Sequence, residues 1–139
     1  LIPTNILIDR TKQVFLTDQG MNHIHTMETP HAESSWVFDN QYFLAPEYLK
    51  AAPTMATDSY ALGAMAAYML SGHSDFFARL IDSSEAQRSA CLIAIIEKSL
   101  EERHNKLLKT LRALLNTDPA QRPSIEQMTR QLLQESEVE

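Results

Sequence analysis

Thr57-Asp58-Ser59-Tyr60-Ala61-Leu62-Gly63-Ala64-Met65-Ala66-Ala67-Tyr68-Met69-Leu70-Ser71-Gly72 is the stretch that decides the fold. Between Tyr60 and Leu70 it carries no charge on any face, and a helix that is apolar all round must be enclosed by protein or by lipid. A bilayer crossing needs ~20 apolar residues, and this run is little more than half that. It is therefore expected to be a central buried helix. Thr57, Asp58 and Ser59 at its start have side chains that accept from first-turn N–H groups, and Gly72 at its end is the usual left-handed terminator. Gly63 inside it costs ~1 kcal/mol relative to Ala, which implies that another segment comes close there.

Downstream, the apolar spacing predicts helices over Asp75 to Ile81, Glu85 to Leu100, Arg103 to Asn116 and Ser124 to Gln134. Leu107, Leu108, Leu111, Leu114 and Leu115 form one stripe, and Ile125, Met128, Leu132 and Leu133 another; both can cover the central rod. Ser84 with Gln87 and Ser124 with Gln127 have capping-box spacing. Upstream, Asn5 to Asp9 and Val14 to Thr17 read as the strands of a small hairpin, and Pro46 to Ala52 as a short helical piece. Asp18 to Asp39 has no sustained period, and a loop of that length is uncommon unless functional or mobile. The whole describes a mainly α chain, one domain over residues 1–139, with a β-hairpin at its N-terminal end.

Composition narrows the class. With 139 residues, 44% apolar and 22% charged, the chain has material for one core and too little for two comfortable ones. A net charge of −6 argues against nucleic acid or an anionic membrane as principal partner. The single Cys91 allows no internal disulfide, and with no leader in view a reducing, cytoplasmic location is expected.

Asn5 and Asp18 are the residues with metal chemistry. A hairpin brings them to the same end, and hard oxygen donors suit Mg²⁺, which takes one or two protein groups together with phosphate oxygens and waters. A turn Asn and a capping Asp would look the same. His23, His25 and His31 share no metal-type spacing with Cys or acidic residues and read as loop histidines. Thr26, Thr29, Ser34 and Ser35 are candidate phosphosites, although no Arg or Lys lies between Lys12 and Lys50 to receive a phosphate. Trp36, Phe38, Tyr42 and Phe43 read as anchors of the loop.

Five stretches in order carry a resemblance. Leu1-Ile2-Pro3-Thr4-Asn5-Ile6-Leu7-Ile8-Asp9 resembles the second half of the protein-kinase catalytic loop and the strand after it, and Val14 to Gly20 resembles the strand ending in that family's metal-binding Asp-Phe-Gly. Ala45-Pro46-Glu47 matches the Ala-Pro-Glu that closes the activation segment. Thr57 to Gly63 is similar to the start of the family's central helix, and Leu114 to Ser124 to its last conserved block. The chain thus resembles the C-terminal, helical lobe of bacterial or eukaryotic-type Ser/Thr protein kinases.

The resemblance implies a kinase C-lobe-like fold and roles by position. Asn5 and Asp18 would each bind a Mg²⁺. Asp18 to Glu47, with Gly20, Asn40, Ala45 and Pro46, would form the activation segment. Glu47 would pair with Arg122, Asp58 would brace the catalytic loop, Gly63 would sit in the central helix, and Asp75 to Ile81 would offer a docking surface. ATP and Mg²⁺ would be used by the full-length protein, on a protein substrate. The general-base Asp is expected just before Leu1, and the other lobe lies outside the sequence, so this chain alone is expected to be inactive.

Departures leave a second reading open. Ile2 stands where the family usually carries Lys, Asn40 where it usually carries the Thr that contacts that Lys, and Gln19 in place of Phe. These favour an atypical active kinase or a pseudokinase that serves as a protein-interaction module.

Overall fold

The computed structural model describes residues 1–17, 40–48 and 50–136. Strands β1 (Ile6–Ile8) and β2 (Val14–Leu16) are followed by helices α1 (Met55–Ser71), α2 (His73–Leu80), α3 (Glu85–Ser99), α4 (Asn105–Leu114) and α5 (Ile125–Ser136). Short 3-10 turns at Pro3–Asn5, Gln41–Phe43, Glu102–His104 and Pro119–Gln121 complete the described elements. The chain is mainly helical with an N-terminal antiparallel hairpin, as its sequence leads one to expect.

α1 is the rod around which the helices gather. Tyr60, Ala64 and Ala67 on it are 0–1% exposed, and it packs against α2, α3 and α4. Its start lies earlier than Thr57. The Thr54 N–H donates to Thr57 Oγ1 at 3.0 Å, so Thr57 closes the first turn from inside the helix and Thr54 is the cap. The far end is as expected: Gly72 has φ 83°, and its N–H donates to the Tyr68 carbonyl at 2.9 Å. That glycine also begins α2, whose Phe76 N–H reaches the Gly72 carbonyl at 3.0 Å, and α2 accordingly starts at His73 rather than Asp75.

The segment that approaches Gly63 is the end of α4. A Cβ built on Gly63 would stand 2.9 Å from Leu115 Cγ, closer than carbon atoms tolerate, and 3.2 Å from Leu114 Cβ, a tight contact. Leu115 leaves helical geometry at φ −90°, ψ 9°, and both leucines are fully enclosed. The helix expected over Arg103 to Asn116 is therefore a 3-10 turn followed by the shorter α4. Among the described residues, the stretch from Pro46 to Ala52 is likewise no continuous helix. It makes one turn, with the Lys50 and Ala51 N–H groups both donating to the Glu47 carbonyl at 2.9 and 3.0 Å, and Pro53 disfavours helical geometry just before it.

Both capping pairs form. The Ser84 N–H donates to Gln87 Oε1 at 3.3 Å; Ser124 N–H to Gln127 Oε1 at 2.9 Å, with Gln127 N–H returning to Ser124 Oγ at 3.1 Å. Between α1 and α3 the Tyr60 hydroxyl meets Ser89 Oγ at 2.8 Å in the interior, and burial pushes the phenol above its ordinary value.

The hairpin pairs Ile6 with Leu16, Leu7 with Phe15 and Ile8 with Val14. Asp9 organises its turn by accepting from Thr11 Oγ1 at 2.7 Å, Thr11 N–H at 2.8 Å and Gln13 N–H at 2.9 Å, which permits the left-handed Lys12 (φ 65°). The bond from the Thr11 side chain, followed by that from the Gln13 backbone, lowers the Asp9 carboxyl below its ordinary value.

Candidate functional site

Arg122 is the centre of a node that joins three distant parts of the chain. The Pro119–Gln121 turn, begun when the Asp118 side chain accepts from the Ala120 N–H at 3.0 Å, delivers Arg122 into the interior with a side chain 0% exposed. A cation so enclosed must be paired and its N–H groups satisfied. Nη1 and Nη2 donate to Glu47 Oε1 and Oε2 at 2.7 and 2.9 Å, the fork matching the carboxylate. Nη1 also reaches the Ala56 carbonyl at 2.8 Å, and Nε the Asn116 carbonyl at 2.8 Å. The guanidinium lies over the Tyr60 ring, 5.0 Å from its centroid.

Glu47 is therefore fixed relative to α1. Burial alone would raise its carboxyl, but the Arg122 bonds and charge, with a bond from Thr57 Oγ1 at 3.5 Å, hold it below its ordinary value of 4.5. Ala45 beside it is buried, Pro46 is half-buried, and the Tyr48 N–H closes the turn on the Ala45 carbonyl at 3.0 Å. Asn40 stands at the entrance to the Gln41–Phe43 turn.

A second cluster holds that turn in place. Phe43, 3% exposed, stacks on Phe76 at 5.3 Å, with Tyr68 edge-on to both, and Tyr42 meets Phe77 edge-on at 5.8 Å. Arg88 on α3 donates to the Gln41 carbonyl at 3.3 Å and to its side-chain oxygen at 3.2 Å, and covers the Tyr42 ring at 5.1 Å. Tyr42 and Phe43 act as anchors of this segment. Arg88 has no signal in the sequence, because a surface arginine on a helix looks the same wherever it points.

At the opposite end of α1 from Gly72, the Asp58 carboxylate lies 3.5 Å from the Leu1 backbone nitrogen. Ile2 beside it is 4% exposed and belongs to the core. Asn5 follows at the open end of the hairpin, where the Thr17 N–H donates to its carbonyl at 2.8 Å. Asp18, Gln19, Gly20, the three loop histidines, Thr26, Thr29, Ser34, Ser35, Trp36 and Phe38 lie outside the described residues. Among the described residues, no cluster of His, Cys, Asp and Glu could hold a metal by itself, and no helix is long and apolar enough to cross a membrane.

The sequence profile of the protein kinase domain matches residues 1–133. The chain is also 26% identical, over 149 aligned positions and 97% of its length, to a probable LRR receptor-like serine/threonine-protein kinase of Arabidopsis thaliana. It spans 14% of the length of that relative.

Proposed function

This chain belongs to the protein kinase domain family, and from that premise we propose that it is the helical C-terminal lobe of a domain transferring a phosphoryl group from ATP to a protein substrate in the whole protein. The supporting observation is the bond from Thr17 to the Asn5 carbonyl at 2.8 Å, since Thr17 is covalently joined to Asp18. Asn5 and Asp18 offer an amide oxygen and a carboxylate, a donor set that fits Mg²⁺. The metal, when bound, neutralises charge on the transferred phosphoryl group.

The remaining residues position. Glu47, clamped by Arg122, fixes the end of the activation segment that runs from Asp18, with Ala45 and Pro46 seated beside it and Asn40 leading in. Asp58 braces the backbone ahead of Asn5. Gly63 lets the end of α4 close on α1. This division suits a reaction that depends on placement and charge rather than on covalent chemistry by the protein.

Ile2 supports the second reading, a pseudokinase serving as a protein-interaction module. An aliphatic side chain sealed in the core supplies packing where the family usually supplies a cation. On that reading α2 would present the docking surface, with Phe77 partly buried and Ile81 just beyond it 69% exposed.

Phosphoryl transfer by full-length protein carrying Asp18→Asn tests the proposal. Activity should fall steeply with the fold intact, because the carboxylate that holds the metal is lost while size is kept. Transfer at the parent rate would overturn the metal assignment. An unmodified protein that transfers nothing, yet binds a protein partner equally well with and without Asp18→Asn, would establish the module.

A further inference from the structure

Arg88 and Ser89 are neighbours on α3 that serve different partners. Ser89 is 6% exposed, and its hydroxyl meets that of Tyr60 at 2.8 Å, which fixes how α3 is turned against α1. Adjacent helical positions lie about 100° apart, so with Ser89 directed inward, Arg88 is carried toward the Gln41–Phe43 turn. There Nη1 donates to the Gln41 carbonyl at 3.3 Å and Nη2 to Gln41 Oε1 at 3.2 Å, with the guanidinium 5.1 Å from the Tyr42 ring centroid. The same Gln41 carbonyl accepts from the Leu44 N–H at 3.3 Å, the bond that closes the turn. One oxygen thus joins the turn to α3.

Tyr60 also serves the other end of this stretch. Arg122, which forks onto Glu47, lies over the Tyr60 ring at 5.0 Å. The chain from Gln41 to Glu47 is therefore gripped at both ends by an arginine, and both arginines take their placement from one tyrosine, Arg88 by way of Ser89. Between the grips, Phe43 and Ala45 are 3% and 4% exposed.

We propose that Arg88 is a positioning residue for the protein substrate, holding the Gln41–Phe43 turn in the form that the substrate meets. The inference rests on the phosphoryl-transfer reading above, in which this turn belongs to the activation segment. Arg88 acts through Gln41 and Tyr42, while Asn5 is held on the hairpin by its own bond from Thr17. A turn left unheld has to be ordered when the substrate binds, and that cost falls on binding rather than on the chemical step. The planar fork grips two oxygens of one residue at once, which a flexible ammonium reproduces only in part.

The test is transfer from ATP to myelin basic protein by the full-length protein carrying Arg88→Met, Arg88→Lys or, as a control for lost charge, Arg130→Met on the exposed face of α5. Arg88→Met should raise KM for the protein substrate about three- to tenfold, as lost hydrogen bonds imply, and leave kcat and the KM for ATP at their parent values. Arg88→Lys should recover part of that loss, and Arg130→Met should match the parent. Amide exchange follows the turn directly. The Leu44 N–H should exchange faster in Arg88→Met, while Tyr48, whose N–H bonds the Ala45 carbonyl at 3.0 Å beside the Arg122 clamp, keeps the parent rate. A fall in kcat with KM unchanged, or equal acceleration at Leu44 and Tyr48, would overturn the positioning role. If the parent transfers nothing, the phosphoryl-transfer reading fails and exchange alone decides: acceleration confined to Leu44 upholds Arg88 as the anchor of the turn, and an unchanged Leu44 overturns it.

Discussion

Leu7, Ile8, Val14, Phe15 and Leu16 in the hairpin are between 49% and 63% exposed, whereas Phe76, Leu80, Leu92, Ile96, Leu114 and Leu115 in the helical body are wholly enclosed. Residue type does not separate the two groups. Layering does. A helix needs to bury only one stripe, and α1 is surrounded by neighbours on several sides. Successive side chains on a strand point to opposite faces, so a ribbon of two strands cannot enclose either face without a further layer. In the body, apolar side chains make a core. In the hairpin the ladder and the Asp9 turn set the shape, and Ile6 alone of the strand residues packs, partly buried, on the core.

The largest expected effect lies in the body, at its charged node. Arg122→Ala leaves Glu47 half-sealed without its partner and should cost ~3–5 kcal/mol, the usual penalty for stranding a buried charge. Urea denaturation of Arg122→Ala, Glu47→Ala and the double variant would measure it, and the double should lose less than the sum of the singles. Additive losses would mean that the pair is not coupled, and the body would then rest on its apolar core alone.

Gly63→Ala should be next, at ~1–3 kcal/mol from forcing Leu115 aside in a filled interior, reduced by the ~1 kcal/mol that Ala gains in helix propensity. The same denaturation carried out on Leu115→Ala should show Gly63→Ala tolerated there, since the atoms it strikes are gone. A Gly63→Ala chain more stable than the parent in both backgrounds would show that the interior has slack.

Acid should act more gently on the same body, because a protonated Glu47 still hydrogen-bonds to Arg122. The folded carboxyl lies below its ordinary value of 4.5, so the folded state holds the proton less tightly than the unfolded chain. Its contribution is therefore complete above that ordinary value and is lost as pH falls through the folded one. The urea midpoint of Glu47→Gln should trail the parent at neutral pH and converge with it in acid, whereas a constant gap would contradict the depressed carboxyl.

The smallest effect belongs to the hairpin. Phe15→Gln in this chain should change stability by no more than about 0.5 kcal/mol, as expected for a surface substitution. A loss comparable with that of Arg122→Ala would erase the contrast between the two regions.

Much of the body was legible in the sequence because its signals are local. The uncharged run of α1, the glycine at its end and the two Ser-x-x-Gln pairs each act within one turn of helix. The start of α1 was displaced because Thr54 and Thr57 are both competent caps, and only the chain's approach from Pro53 selects between them. The clamp of Glu47 on Arg122 was legible by resemblance, but not its bonds to Ala56 and Asn116, which are made by carbonyls that every residue possesses. Arg88 on Tyr42, and Thr110 of α4 on Gln131 of α5, depend on which helix faces are brought together. No periodicity reports that.

Gly72 has one more consequence. Its φ is 83°, yet a Cβ built there meets nothing within 4 Å. The objection to a side chain at this corner is thus one of handedness rather than room, the reverse of Gly63, where room is what is missing. A D-alanine would sit at Gly72 without strain, since its mirror-image geometry prefers that torsion, while L-alanine would have to bend the junction of α1 and α2. The turn between the two helices is held by the one residue in the genetic repertoire that has no hand.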